Sequence, residues 1–191
     1  MRLASPQRWF LLACGVELAL LGVALVAGSA LPQTLAAQAR GQPRDAFIGA
    51  VAALPLLTCF AWLLRSPWRP FAEVRGFLET VLRPMFAEWS LLQLAVVSLL
   101  AGVAEESLFR AVIQGGLTGA LGAWPALAVA SGLFGVCHGM TRAYAVIAAI
   151  MGVYLGLLWL ATGNLLTPVI AHALYDFAAL AYFLRVRKPG G

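Results

Sequence analysis

The chain has 191 residues, 62% of them hydrophobic and 11% charged, with a mean hydropathy of +0.88, against roughly 45–50% apolar and about 25% charged in an ordinary soluble domain. That composition excludes a water-soluble globule and makes the lipid bilayer the expected solvent. The net charge of +5 is scattered between apolar runs rather than gathered in one stripe, so no nucleic-acid surface is indicated.

The first apolar run, Trp9 to Leu31, follows Arg2 and Arg8 and ends at Pro32. It is longer than the roughly 7–15 residues of a signal-peptide core and carries Glu17 in its middle, so it reads as an uncleaved span, with Glu17 as a satisfied interhelical contact. A leader cut near Ala36-Ala37-Gln38-Ala39 is the alternative. The second run is Ala46 to Leu64, in which Pro55 predicts a kink. From Arg65 to Glu88 charges alternate with aromatics, which suits a short interfacial helix with its apolar side down, or a solvated loop. Four further runs follow: Trp89 to about Leu117, Trp124 to His138, Tyr144 to Ala161 and Leu165 to Leu184. Gly115, Gly116, Gly119, Gly122, Pro125, Gly139 and Gly163 are expected to mark their boundaries.

These elements predict an all-α, polytopic membrane helical bundle with about six transmembrane helices. Residues 1–88 supply two spans and the interfacial segment, 89–184 a core of four spans, and 185–191 a basic tail, in one integral membrane domain. Cys14, Cys59 and Cys137 lie in apolar runs without paired spacing and read as small buried hydrophobes. Six spans put ten Lys and Arg on one side and only Arg40 and Arg44 on the other, so both termini are expected in the cytoplasm. A single Lys, Lys188, among 13 basic residues, with abundant Ala, Leu and Gly, points to a bacterial inner membrane.

Each ionisable group kept inside a bilayer costs at least about 2.5–3.5 kcal/mol at a helix centre, so such groups are functional suspects. Besides Glu17 they are Glu105, Glu106, Arg110, His138, His172 and Asp176. Glu106 and Arg110 are four apart and share a helix face, as do His172 and Asp176. Glu105 points about 100° away from that pair, without a local counter-charge. Glu105 lies 10 residues before Gly115, His138 lies 14 after Trp124 and His172 lies 8 after Asn164, giving depths of about 15, 21 and 12 Å. Singly, each group has a packing explanation. Together, two carboxylates, an arginine and two histidines at overlapping depths on three spans do not, because an apolar bundle would fold without them.

Glu105-Glu106-Ser-Leu-Phe-Arg110 resembles an E-E-x-x-x-R motif, Phe134-Gly-Val-Cys-His138 an F-x-x-x-H motif and His172-Ala-Leu-Tyr-Asp176 an H-x-x-x-N/D motif. In order and spacing, residues 89 to 184 resemble the CPBP family of intramembrane endopeptidases, which contains the type II CAAX prenyl proteases and the bacterial Abi proteins. The resemblance implies a glutamate-based hydrolase acting on a peptide or membrane-protein substrate. Glu105 would activate a water that His138 positions, and His172 with Asp176 would stabilise the oxyanion. Glu106, Arg110 and Phe134 would support the site. The eukaryotic branch carries asparagine where this chain has Asp176, and an ionised carboxylate cannot donate to an oxyanion. Asp176 would then be protonated or serve by keeping His172 charged.

No cofactor is expected on this reading. A second reading makes the Glu and His side chains zinc ligands, although H-E-x-x-H is missing. A third is a proton-coupled transporter or a binding or immunity protein, which would need no hydrolytic water.

Overall fold

In lipid a backbone has no hydrogen-bond partner but itself, so each apolar run closes into a helix. The computed structural model describes residues 5–31 and 34–187; Arg2, Pro32 and Lys188 lie outside them. The helices are α1 (Pro6–Gly28), α2 (Leu35–Gln38), α3 (Pro43–Arg65), α4 (Arg69–Phe77), α5 (Leu91–Leu121), α6 (Ala123–Cys137), α7 (Arg142–Thr162) and α8 (Leu166–Val186). Five of them, α1, α3, α5, α7 and α8, are long and apolar enough to cross a membrane, and α6 is a shorter apolar helix. Among the described residues there is no strand. The chain is an all-helical bundle and an integral membrane protein.

Local signals set most helix ends. Ser90 and Gln93 form a reciprocal capping box at the start of α5, and the Thr141 hydroxyl accepts from the Tyr144 amide to start α7. At the end of α3, Arg75 donates to the carbonyls of Leu63 and Ser66. Glycine as a boundary marker needs correction. Gly115, Gly116 and Gly119 lie inside α5, where the Trp159 ring fills the space a side chain on Gly115 would need. The helix stops instead at Gly122, whose φ of +84° is open chiefly to glycine.

Pro55 sits within an unbroken α3. Beside the turn it disturbs, the Tyr154 hydroxyl of α7 donates to the carbonyl of Ala52 at 2.9 Å. The Arg65 to Glu88 stretch is helical in α4, continues through a π-helical turn at Leu78–Leu82 and ends in Arg83–Phe86. Its apolar side, Phe71, Val74 and Leu78, packs on Leu64, Leu94 and Phe183. That side therefore covers the ends of the bundle rather than facing down into lipid. The cysteine expectation also fails: Cys59 and Cys137 are exposed and Cys14 is half-buried. An apolar run shows which residues are in the bilayer, not which of them face the protein.

Small residues bring the helices of the core together. A Cβ on Gly102 of α5 would lie 2.9 Å from the Val169 carbonyl and 3.0 Å from the Ala173 Cβ of α8. A Cβ on Gly49 of α3 would lie 3.0 Å from the Ile170 Cβ of α8. At one end of the bundle Asn164 accepts from the Arg40 amide at 2.9 Å and donates to the Arg40 carbonyl and the Asp45 carboxylate, each at 2.7 Å. These bonds tie the α2 to α3 connection onto the start of α8. The α5/α8 crossing at Gly102 is the one that positions the polar groups described next.

Candidate active site

Four residues apart on α5, Glu106 and Arg110 pair at 2.9 Å, both side chains fully buried. The segment that follows Glu106, Ser107–Gln114, is π-helical, an irregularity found often at functional sites. Arg110 holds one carboxylate oxygen of Glu106 through Nε, and its guanidinium lies over the Phe134 ring, 5.4 Å from the centroid. The other oxygen, Oε1, meets His172 Nδ1 of α8 at 2.9 Å. A carboxylate paired with arginine is an acceptor, so His172 donates from Nδ1. That leaves Nε2 of His172 to face Asp176, one turn further along α8, at 3.5 Å from Oδ2.

His138 caps the C-terminus of α6. Its Nδ1 lies 2.8 Å from the Phe134 carbonyl. A carbonyl only accepts, so this nitrogen carries the proton. Nε2 is thereby turned toward Glu105, 3.7 Å from Oε2. That separation is too long for a direct hydrogen bond and suits an oxygen atom held by both groups. The Phe134 ring stacks under His138, centroids 4.4 Å apart, and stands edge-on to His172 at 6.0 Å. It is the apolar spacer between the two imidazoles.

Glu105, His138, His172, Asp176 and Phe134 all line one cavity of about 300 Å³. Glu106 and Arg110 are buried behind it, where they hold His172 rather than face the cavity. Glu17 requires a correction. Expected as a satisfied contact, it lines this same cavity, and its Oε2 is buried without a hydrogen-bond partner among the described residues. The signal was present: Ala13, Glu17, Ala24 and Gly28 follow one another at intervals of four, seven and four, which share one helix face. Ser98 and Tyr144, passed over in the sequence, also line the cavity. Ser98 precedes Glu105 by seven residues and so lies two turns away on its face of α5.

Among the described residues, no three His, Cys, Asp or Glu side chains converge as ligands for one ion. A second, apolar cavity of about 720 Å³ lies between α3 and α7, and Phe60, Leu63, Ile147, Met151 and Tyr175 line both.

Residues 87–178 match the family model for Rce1-like proteins, described as type II CAAX prenyl endopeptidase Rce1-like. The matched segment contains Glu105, Glu106, Arg110, Phe134, His138, His172 and Asp176, and leaves out α1 with Glu17. No curated protein and no solved structure matches the chain.

Proposed function

We propose, from the premise that residues 87–178 belong to the Rce1-like family of type II CAAX prenyl endopeptidases, that this chain is an intramembrane endopeptidase whose attacking water is activated by Glu105. The observation that carries the reading is the approach of Glu105 Oε2 and His138 Nε2 to 3.7 Å in a cavity that His172 also lines.

In this mechanism a water between the two groups gives its proton to the Glu105 carboxylate and is oriented by Nε2 of His138. Its oxygen attacks the scissile carbonyl carbon. The charge that develops on the carbonyl oxygen is met by an N–H from Nε2 of His172. His172 already donates from Nδ1 to Glu106, so donation from Nε2 requires both ring protons, and Asp176 beside Nε2 balances the resulting charge. Collapse of the tetrahedral species breaks the C–N bond, and Glu105 returns its proton to the leaving amine. Apolar residues of a peptide or membrane-protein substrate are accommodated by the adjoining cavity between α3 and α7.

The test is cleavage of a peptide panel by purified protein in detergent. Activity is expected in the wild type and lost on Glu105→Gln; turnover unchanged by that substitution overturns the mechanism. The chain is further read as one domain in a bacterial inner membrane with both termini cytoplasmic, supported by the ten-to-two distribution of basic residues. Terminal reporter fusions test that orientation.

A further inference from the structure

We propose that Glu17, with Ser98, makes the cavity select substrates that carry a cationic side chain, lysine or arginine, next to the scissile bond. The proposal rests on the endopeptidase reading and names a substrate class for the same site.

The charged groups that line the cavity come from four of the helices around it, while α3, α4 and α7 line it with apolar side chains and the Tyr144 phenol. Those charged groups are Glu17 from α1, Glu105 from α5, His138 at the end of α6, and His172 and Asp176 from α8. Among the described lining residues there is no lysine or arginine, and Arg110 is committed to Glu106 behind the wall. Three carboxylates therefore face two imidazoles. One imidazole is shared with a fourth carboxylate, Glu106, and the other spends a nitrogen on a backbone carbonyl. Acceptors exceed cations, and among the described residues no three of these groups converge on one metal ion.

Apart from Glu105 Oε2, which the proposed mechanism gives to the water, two unmet cavity-lining atoms mark where a cation would sit. Glu17 Oε2 and Ser98 Oγ are both buried without a hydrogen-bond partner among the described residues, and both residues line the cavity. Ser98 is only 2% exposed. Buried acceptors left unmet are costly, and an ammonium or guanidinium group brought by the substrate satisfies both while compensating the carboxylate. Glu17 and Ser98 lie on α1 and α5, two helices that pack together, so both acceptors belong to one side of the cavity. A substrate presenting a carboxylate at this point would be repelled by the same groups.

The experiment measures binding of three peptides that differ only in lysine, leucine or glutamate beside the cleaved bond. Glu105→Gln protein is used so that binding is read without turnover. The lysine peptide is expected to bind about tenfold or more tightly than the leucine peptide, the range of a hydrogen bond to a charged group. In the Glu105→Gln/Glu17→Gln protein the preference should shrink to near unity. Ser98→Ala should narrow it in the same direction, which guards against a Glu17 variant that fails to fold. A preference unchanged by either substitution overturns the proposal, as does no binding preference or equal weakening of all three peptides. Failure of the endopeptidase reading itself appears separately, as absence of cleavage of any peptide by the wild-type protein, whatever the relative binding of the three peptides.

Discussion

His138 turns Nε2 toward Glu105 Oε2 at 3.7 Å because its other nitrogen is committed to the Phe134 carbonyl at 2.8 Å. The backbone of α6 therefore decides which ring nitrogen faces the carboxylate, and a catalytic water between them would meet a fixed lone pair.

Loss of that nitrogen should act on the chemical step. His138→Ala is expected to lower kcat about 10²-fold, the scale of a reacting water displaced by about 1 Å, with little change in KM. Steady-state kinetics on a cleavable peptide checks this; a variant at wild-type kcat removes His138 from the mechanism.

Removing one partner of the buried Glu106/Arg110 pair should be felt in stability. Arg110→Ala leaves the buried Glu106 carboxylate with its Oε2 unmet and only the His172 contact on Oε1, and is expected to cost about 3–5 kcal/mol. It should also lower activity beyond any unfolding, because Glu106 is the group that holds His172 at 2.9 Å. Denaturant titration in detergent beside kcat measured on the folded fraction separates the two effects.

The α5/α8 crossing should tolerate no side chain. Gly102→Val brings carbons against the Val169 carbonyl and Ala173. About 1–3 kcal/mol of destabilisation is expected from overpacking, with loss of cleavage as Glu106 is pushed from His172. Gly132→Ala, where an added Cβ meets nothing within 4 Å, should leave both melting temperature and kcat near wild type.

Asp176 can be separated into an acceptor role and a charge role. Asp176→Asn keeps an oxygen beside His172 Nε2 and adds an amide donor for the oxyanion, so activity within about tenfold of wild type is expected. Asp176→Ala removes both and should cost about 10²–10³-fold, the scale of one lost oxyanion contact. Equal activity in the two variants would show that position 176 does not act on His172.

Glu106 with Arg110, and His172 with Asp176, were legible as pairs because a helix puts residues four apart on one face, a relationship contained within a single segment. Depth was legible for the same reason, since rise per residue is constant. The same arithmetic could not reveal the bond from Glu106 to His172, which joins α5 to α8 across 66 positions. Nor could it find the π-helical turn of α5, which the glycines at 115, 116 and 119 had suggested ending in a loop. Glu17 was misjudged because α1 was taken alone, whereas the face it presents to α5 decides what meets the carboxylate.

Composition and periodicity by themselves determined that this chain lives in lipid as helices, and which ionisable groups it keeps there. Both follow from transfer free energy and from local backbone geometry, which depend only on nearby residues. Tertiary packing alone decided which of those groups meet: Glu105 with His138, Glu106 with His172, and Glu17 in their company. Lateral contacts between helices depend on where small residues such as Gly102 allow close approach, and that is a property of two surfaces at once.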